Sequence, residues 1–447
     1  MIRFGTAGIR GPARDRVTPA VCLAVGQAVG SEGLTVVLGR DGRKTGPALF
    51  DAMAAGLESA GASVIKLGVV PTPTVAFASR GRYGVMLTAS HNPPADNGIK
   101  LFSDGIEFDR EAESTVEAAL DAGTNPTNWD AWGDSSGDEI LGRYRRAIVE
   151  YARGFGERAN GLAIAVDCGN GMASLATPQI CSSLGATVTT LNANVDGHFP
   201  GRGSKPTPET LSDLRAFVAA GPSDLGIGHD GDADRIVIVD SSGNVVHEDT
   251  ILAVLAERYV RGFAGADPVV VTTPTASARI DERVEVAGGR VERVRLGALH
   301  EGIARVRESG GEVVFAAEPW KHIHPEFGGW IDGVASAAVL TRLVAEAEGI
   351  DPLKAPVTER PYRKVAVDCP DERKEATMAR LEGELRERFP ETTVTTDHGV
   401  RVEWDDGSWL LVRPSGTEPY VRLYIESERI ERLEREATDT IESAVSE

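Results

Sequence analysis

The chain has 447 residues, more than one hydrophobic core normally supports, so its length indicates several domains. Hydrophobic residues make up 41% of the chain and charged residues 26%, which is an ordinary globular composition and excludes a disordered protein. The formal net charge of -20 repels the phosphates of nucleic acids and of anionic lipids, so we expect neither nucleic acid nor a membrane as a partner.

The N-terminal residues lack the apolar segment of a signal peptide, and no apolar run is long enough to span a bilayer. The four cysteines are scattered, with no pair at metal-ligand spacing, and we expect them to be reduced thiols. These features together predict a cytoplasmic protein.

Three stretches of the chain share one pattern, in which a β-branched run, a loop and a helical stretch lead to a glycine and a second β-branched run. The paired runs are residues 36–41 and 61–68, residues 163–167 and 185–188, and residues 269–273 and 289–292. The separation is close to that of a βαβ unit of roughly thirty residues. The pattern predicts three similar α/β domains in tandem, each a mixed sheet with helices.

The pattern changes after residue 361, where short strands alternate with two long helical stretches. Strands are expected at residues 364–367, 400–404, 409–412 and 420–425, and helices at residues 375–389 and 430–445. This predicts a C-terminal α+β domain, with turn-rich linkers at residues 121–138 and 349–361. The predicted domains are residues 1–135, 140–242, 243–350 and 360–447.

Two loops near the N-terminus combine glycine with arginine. Residues 4–11 place Arg10 among glycines, where backbone amides and a guanidinium can bind one anion. Residues 39–43 form a similar loop, in which we expect Arg40 and Asp41 to have a structural role, as an ion pair. Taken alone, each loop is a weak signal, because glycine marks turns of every kind.

Residues 88–93 read Thr-Ala-Ser-His-Asn-Pro and follow an apolar run that is typical of a strand. A loop of small residues closed by proline holds one hydroxyl at a fixed and accessible point, so Ser90 is a nucleophile candidate. An isolated motif of this kind is more often a polar turn whose serine and asparagine bond to the local backbone. The other motifs of the chain therefore decide its interpretation.

Asp230, Asp232 and Asp234 alternate with small residues in a loop between two apolar runs. Three carboxylates so placed converge on a hard divalent cation. An EF-hand is disfavoured because its flanking helices and later bidentate glutamate are missing. A solvated acidic turn is the remaining alternative, and the strands on both sides argue against it.

Residues 413–419 read Arg-Pro-Ser-Gly-Thr-Glu-Pro and lie between two predicted strands. Hydroxyl and amide donors stand there beside a guanidinium, which is the composition of a phosphate-binding loop. A phosphate-handling site needs such cations, since three aspartates supply only negative charge.

The motifs at residues 88–93, 230–235 and 413–419, in this order, resemble those of the α-D-phosphohexomutase family. The resemblance extends from residue 4 to the last strand. It implies three similar α/β domains and a fourth, phosphate-binding domain around a central cleft. In chain order the four would be the phosphoserine, metal-binding, sugar-recognition and phosphate-binding domains.

The resemblance also implies the roles of individual residues. Ser90 would carry a phosphoryl group, with its oxygen joining Asp230, Asp232 and Asp234 around Mg²⁺. Lys100 would be the catalytic base, with Arg10 and His91 beside it. The residues implied to bind substrate are Arg235, Glu318, Arg413, Ser415, Gly416 and Thr417.

The implied reaction interconverts hexose 6-phosphate and hexose 1-phosphate through a bisphosphorylated sugar that turns around between two transfers. The expected partners are a hexose phosphate substrate and a hexose bisphosphate activator, and the expected assembly is a monomer or homodimer. Two rival interpretations are a metal-dependent sugar phosphatase and an inactive sugar-phosphate sensor.

The sugar-selecting loop departs from the family pattern. The family usually has Gly-Glu followed by Ser-Gly or Asn-Gly, whereas residues 317–322 here read Ala-Glu-Pro-Trp-Lys-His. Glu318 is retained, while Trp320, Lys321, His322 and His324 either replace the small polar partner or shape the loop. Residues 96–100 and 415–419 favour the phosphoglucosamine mutase branch, with phosphomannomutase and phosphoglucomutase as alternatives.

Overall fold

The computed structural model describes residues 2–5, 8–415 and 418–446. The chain divides into two compact units, Met1–Ile251 with Val314–Lys354 and Leu252–Val313 with Ala355–Glu447. The division into four domains stays a prediction. Among the described residues, no helix combines the length and apolarity needed to cross a membrane.

The first unit begins with a seven-stranded sheet in the order β1-β5-β4-β2-β3-β7, with β6 paired to β5. Its strands are β1 (Ile9–Pro12), β2 (Thr35–Arg40), β3 (Ser63–Val69), β4 (Tyr83–Leu87), β5 (Asp96–Ser103), β6 (Ile106–Glu107) and β7 (Ser135–Gly137). Its helices are α1 (Pro19–Val29), α2 (Gly46–Ser59), α3 (Thr72–Ala78) and α4 (Arg110–Ala122). The parallel pair β2 and β3, joined by α2, confirms the first predicted βαβ unit.

Local sequence explains how these elements begin and pack. Thr18 caps α1 by accepting a hydrogen bond from the Val21 amide, and proline occupies the next position, where its missing N–H costs nothing. The apolar residues of β2 and β4 are buried, as expected for parallel strands covered on both faces. The segment 121–138, expected to be a linker, also contains β7, which pairs with β3 although its small residues bury little surface.

The second sheet of the first unit has the order β11-β10-β8-β9. Its elements are α5 (Leu141–Ala152), β8 (Ala163–Asp167), α6 (Thr177–Ser183), β9 (Thr187–Leu191), α7 (Ser212–Ala220), β10 (Leu225–His229) and β11 (Ile236–Val239). The parallel pair β8 and β9 confirms the second βαβ unit, and β10 pairs antiparallel with β11. The aspartate motif therefore lies in the turn of a buried hairpin.

The next elements are divided between the two units. They are α8 (Glu248–Gly262), β12 (Pro268–Thr272), α9 (Ala278–Val286), β13 (Arg290–Arg293), α10 (Leu299–Glu308), β14 (Glu312–Glu318), β15 (Lys321–Ile323), α11 (Gly333–Glu346) and α12 (Ile350–Lys354). In the second unit, β12 and β13 are parallel and confirm the third βαβ unit. The antiparallel strands β14 and β15 form a hairpin that carries the sugar-selecting loop.

The remainder of the second unit is an antiparallel sheet in the order β16-β20-β19-β18-β17, covered by helices. Its elements are β16 (Tyr362–Asp368), α13 (Lys374–Arg388), β17 (Thr393–Thr395), β18 (Val400–Glu403), β19 (Trp409–Pro414), β20 (Tyr420–Glu426) and α14 (Ile430–Ser446). Leu410 and Val412 pack in the core formed with α13 and α14, whereas Trp409 and Leu411 pack on the opposite face. This alternation confirms the α+β prediction.

Candidate active site

Ser90 lies in the loop after β4, which ends at Leu87. Its backbone has φ of 50°, in the left-handed region, and its amide donates to Thr88 Oγ1 at 2.9 Å. Ser90 Oγ donates to Asp230 Oδ2 at 2.6 Å and lies 3.3 Å from His91 Nδ1. The fold thus brings the hydroxyl of the predicted nucleophile into hydrogen-bond contact with Asp230, the first carboxylate of the predicted metal loop.

A buried ion pair lies next to the serine loop, which is the segment between β4 and β5 that contains Ser90. Arg43 is fully buried, and its Nε donates to Asp41 Oδ2 at 3.0 Å. Thr88 Oγ1 donates to the same oxygen at 2.7 Å. The expected ion pair between Arg40 and Asp41 is wrong. The carboxylate of Asp41 pairs with Arg43, and Arg40 donates to the Asp41 backbone carbonyl.

The three aspartates occupy the turn between β10 and β11, where Asp230, Asp232 and Asp234 are all buried. One carboxylate oxygen from each lies within 4.8 Å of the other two. Asp232 Oδ1 and Asp234 Oδ1 are buried without a hydrogen-bond partner among the described residues. Converging carboxylates with unused buried oxygens fit a hard divalent cation. The predicted metal-binding cluster is therefore present.

The turn that carries the aspartates is fixed by its own residues. Ala233 has φ of 62°, and a Cβ at Gly231 would lie 2.7 Å from the Ser90 carbonyl oxygen, so only glycine fits there. His229 Nδ1 donates to the Arg235 carbonyl at 2.7 Å and so joins the two ends of the turn. Burial lowers the pKa of His229 to about 4, so this ring is neutral near pH 7.

The carboxylates of Asp230 and Asp234 have opposite pKa shifts. Burial, followed by repulsion from Asp234 and Asp232, raises the pKa of Asp230. Burial acts in the same direction on Asp234, but nearby cations, first Lys100 and then Lys321, outweigh it and lower the pKa of Asp234. The cluster therefore holds crowded negative charge that neighbouring cations compensate only in part.

Lys100 lies on β5 and is 3% exposed. Its Nζ donates to Asp234 Oδ2 at 2.7 Å and lies 3.4 Å from Glu107 Oε1. Burial would lower the pKa of Lys100, but Asp234 and Glu107 outweigh burial and raise it. In this geometry Lys100 is an ammonium ion beside the metal loop, and it can act as a base only after these carboxylates have found other partners and Lys100 has lost its own proton.

Arg10 and His91 border the same region, as predicted. Arg10 lies on β1 opposite Gly98 of β5, and its buried Nε has no hydrogen-bond partner within the described part of the chain. Burial, followed by the cations Arg235 and Arg10, lowers the pKa of His91 to about 3. The site therefore offers a neutral imidazole and an unpaired guanidinium N–H to an anionic ligand.

The hairpin of β14 and β15 brings the sugar-selecting loop to the metal loop. Glu318 pairs with Lys321 across the hairpin, and Lys321 Nζ lies 3.9 Å from Glu318 Oε2. A β-bridge joins Lys321 to Arg235. Arg235 Nε lies 3.9 Å from both Asp230 Oδ2 and Asp234 Oδ1. Glu318 and Arg235 are thus in one region with the aspartates.

The other unusual side chains of this loop have structural partners. His322 Nδ1 and His324 Nε2 each lie 2.9 Å from Ser336 Oγ, and burial lowers the pKa of both rings to about 3. Trp320 packs against the apolar cluster that includes Leu211 and Leu214. These residues shape the loop, whereas the charged end of Lys321 reaches Glu318.

The second unit contains the described residues of the predicted phosphate cradle, which are residues 413–415 at the end of β19 and residues 418–419 before β20. Arg413 lies opposite Arg422 on the neighbouring strand, and its buried Nε has no hydrogen-bond partner among residues 2–5, 8–415 and 418–446. Lys374 Nζ donates to the carbonyl oxygens of Ser415 and Glu418, both at 2.6 Å. Lys374 therefore holds the loop and adds a positive charge to it.

Two predicted cradle residues, Gly416 and Thr417, lie outside the described residues. Sequence reasoning missed Lys374 and Arg422. Arg422 lies near the cradle because of the register between β19 and β20, and Lys374 lies near it because α13 begins there. It also missed Arg43, although the Asp-Gly-Arg sequence predicts a loop at this position.

Comparison with known proteins identifies the family. Residues 1–127, 143–243 and 365–443 match domain I, domain II and the C-terminal domain of the family described as Phosphoglucomutase/phosphomannomutase. The chain is 40% identical over 454 residues to a phosphopentomutase of Thermococcus kodakarensis, covering 99% of this chain and 98% of that protein. It is 42% identical over 458 residues to a probable phosphoglucosamine mutase of Methanopyrus kandleri, with the same coverage.

A solved structure agrees with these relatives. A phosphoglucomutase/phosphomannomutase family protein of Burkholderia thailandensis superposes with a TM-score of 0.85 at 27% identity, over 99% of this chain and 98% of that one. With relatives of this identity over its full length, the chain belongs to the α-D-phosphohexomutase family, whose members are isomerases that transfer a phosphoryl group within a sugar phosphate.

Proposed function

We propose that this phosphohexomutase interconverts glucosamine 6-phosphate and glucosamine 1-phosphate, with Ser90 as the phosphoryl carrier. The observation that carries the proposal is the 2.6 Å hydrogen bond from Ser90 Oγ to Asp230 inside a group of three buried aspartates. A serine hydroxyl so placed can hold a phosphoryl group beside a cation. The relative in Methanopyrus kandleri, named for glucosamine phosphate, supports the choice of sugar.

The proposed reaction consists of two transfers. Lys100 first gives up its own proton and becomes a neutral amine. In the first transfer, the bond between Ser90 Oγ and phosphorus breaks, a bond from the sugar hydroxyl oxygen to phosphorus forms, and the hydroxyl proton goes to the Lys100 amine. Lys100 then passes this proton to Ser90 Oγ, so one proton has moved in net from sugar to serine. The bisphosphorylated sugar then turns around, and its other phosphoryl group passes to Ser90. Arg10 and His91 orient the reacting groups.

The proposed cofactor is Mg²⁺, held by Asp230, Asp232 and Asp234 together with an oxygen of phosphorylated Ser90. The hard oxygen donors of this set suit Mg²⁺. When bound, the ion withdraws negative charge from the phosphoryl group. The unused oxygens of Asp232 and Asp234 support this assignment.

The proposed substrate-binding residues belong to two groups. Glu318 and Arg235 of the first unit are assigned to the sugar hydroxyls and to the phosphoserine, because both lie beside the metal loop. The phosphate already on the substrate, and the phosphates of a hexose bisphosphate activator, are assigned to the cradle. Its assigned residues are Arg413, Ser415, Gly416 and Thr417. The four predicted domains correspond to these roles.

The test is a coupled assay of the purified protein on glucosamine, mannose and glucose phosphates with Mg²⁺ and a hexose bisphosphate activator. We expect product isomer from glucosamine phosphate at the highest kcat/KM, and activation by the bisphosphate. Release of inorganic phosphate in place of an isomer would indicate the sugar phosphatase, and binding without turnover would indicate the sensor.

A second candidate is a phosphopentomutase, favoured by the altered sugar-selecting loop. Lys321 lies in the loop whose usual family pattern has small residues after the glutamate, and its ammonium lies 3.9 Å from Glu318 Oε2. A cation there disfavours a protonated 2-amino group on the sugar, and the relative in Thermococcus kodakarensis is named for a pentose phosphate. Ribose phosphates in the same assay, with wild type and Lys321→Gly, separate the candidates. Faster turnover of ribose phosphate by the wild type would replace the glucosamine proposal.

We also propose a cytoplasmic monomer or homodimer. The four cysteines, Cys22, Cys168, Cys181 and Cys369, are buried and form no disulfides, as expected in a reducing compartment. Size-exclusion chromatography with light scattering measures the assembly, and a mass above that of two chains would contradict it.

A further inference from the structure

The two terminal nitrogens of Arg43 donate hydrogen bonds to four backbone carbonyls of the segment 90–96, which contains Ser90. Nη1 donates to the carbonyl oxygens of Pro93 at 2.5 Å and Asp96 at 3.0 Å. Nη2 donates to those of Ser90 at 2.8 Å and Asn92 at 2.7 Å. With Nε on Asp41, all five N–H donors of the side chain are in use.

Four carbonyl oxygens that converge on one buried point repel one another unless a cation separates them. The backbone strain of the loop adds to this cost, since a serine in the left-handed region is strained and persists only where its surroundings fix it. Ser90 has φ of 50°. Arg43 is the group that compensates both costs, and it does so without being exposed to solvent.

The same guanidinium reaches the metal loop through one aromatic ring. The Arg43 guanidinium lies 5.1 Å from the centre of the Phe199 ring. A Cβ on Gly231 would lie 3.3 Å from Phe199 Cζ, so this ring packs directly against the metal loop. Ser204 Oγ donates to the Asn92 carbonyl at 2.9 Å, which adds a second link between the serine loop and the segment that joins β9 to α7.

We infer that Arg43 is a positioning residue that holds Ser90 Oγ in register with the metal loop during phosphoryl transfer. The inference rests on the proposed mutase function, whose failure would show as an inactive wild-type protein. Arg43 contacts the backbone carbonyl of Ser90, whereas Ser90 Oγ bonds to Asp230. It acts through the backbone of the serine loop and through Phe199, so its loss displaces the nucleophile rather than weakening substrate binding.

The test compares Arg43→Met and Arg43→Lys with Arg145→Met in the full-length protein. Arg145 is a matched control, because it donates to the Leu175 backbone carbonyl in the same unit without contacting the serine or metal loops. Thermal unfolding measures the structural effect of each change. Steady-state kinetics on the sugar phosphate that the wild type turns over separate kcat from KM, and intact mass after incubation with hexose bisphosphate gives the rate at which Ser90 is phosphorylated.

We expect Arg43→Met to lower kcat and the phosphorylation rate by about 100-fold, with KM changed less than about threefold, because small displacements of reacting groups cost about this much. Arg145→Met should lower the unfolding temperature and leave kcat unchanged. If Arg43→Met does not fold, Arg43→Lys decides, since it keeps the charge but loses the planar fork and should cost at least about tenfold in kcat. A wild-type kcat in Arg43→Lys, or a rise in KM alone, overturns the inference.

Discussion

The proposed catalytic cluster in the first unit and the proposed phosphate cradle in the second differ in how far their side chains are hydrogen-bonded. The catalytic cluster, Ser90 with Lys100 and the three aspartates, is buried and cross-linked by short side-chain hydrogen bonds. The cradle lies where β19 ends and before β20 begins, and Arg413 Nε has no hydrogen-bond partner in the part of the chain that the structure describes. The first arrangement suits a fixed geometry for bond making, and the second suits a ligand that must bind in two orientations.

The comparison predicts that changes in the catalytic cluster lower kcat, whereas changes in the cradle raise KM. The largest effect is expected from Ser90→Ala, which removes the oxygen that carries the phosphoryl group. We expect kcat to fall by at least about 10⁴-fold while the unfolding temperature changes by a few degrees at most. Full activity in this variant would show that the carrier is another residue.

The next largest effect is expected from Asp232→Asn, which leaves the turn in place but removes one charge from the metal-binding cluster. We expect Mg²⁺ affinity, measured by titration calorimetry, to fall by about 100-fold, and kcat by about 10²–10³-fold. Asp213→Asn is the control, because Asp213 is exposed on α7, which belongs to the same unit as Asp232. Equal metal affinity in both variants would contradict the assignment of the cluster.

A smaller effect, of the other kind, is expected from Arg413→Met. Charge-assisted hydrogen bonds contribute about 1.5–3 kcal/mol, so KM should rise about 10–100-fold while kcat changes less than about threefold. Arg435→Met on the exposed face of α14 is the control. A loss of kcat at unchanged KM would mean that the cradle takes part in the bond-making step and would remove the contrast between the two regions.

The smallest effect on turnover is expected from Asp332→Asn, which tests the buried framework of the first unit. Asp332 accepts hydrogen bonds from Tyr144 and Trp330, and burial raises its pKa from 3.8 to about 6. The folded state therefore favours the protonated acid, and the wild type loses stability as pH rises from about 4 to about 6, at about 1.4 kcal/mol per unit of pKa shift.

The amide that Asp332→Asn introduces does not titrate, so the variant should gain on the wild type by about 2–3 kcal/mol between about pH 4 and about pH 7. Urea unfolding at the two pH values measures this difference, with kcat unchanged. An equal stability difference at both pH values would show that folding does not shift the pKa of Asp332.

The sequence predicted the elements whose pattern is local. The three βαβ units and the C-terminal sheet follow from runs of β-branched residues, and in each unit a glycine precedes the second run. The aspartate turn follows from three carboxylates at alternate positions. The pairing of Asp41 with Arg43 did not follow, because a five-donor arginine is recognised only when the carbonyls around it are known. The sequence alone does not predict the roles of His322 and His324 either, because both rings bond to Ser336, which lies twelve or more residues away on a helix.

The central claim is that Ser90 carries a phosphoryl group covalently beside the three aspartates. Intact-mass analysis with fragmentation, after incubation with hexose bisphosphate and Mg²⁺, measures this directly. We predict one added phosphoryl group, located on Ser90 and removed by addition of hexose monophosphate. A protein that gains no phosphoryl group under these conditions, or gains it on another side chain, contradicts the claim.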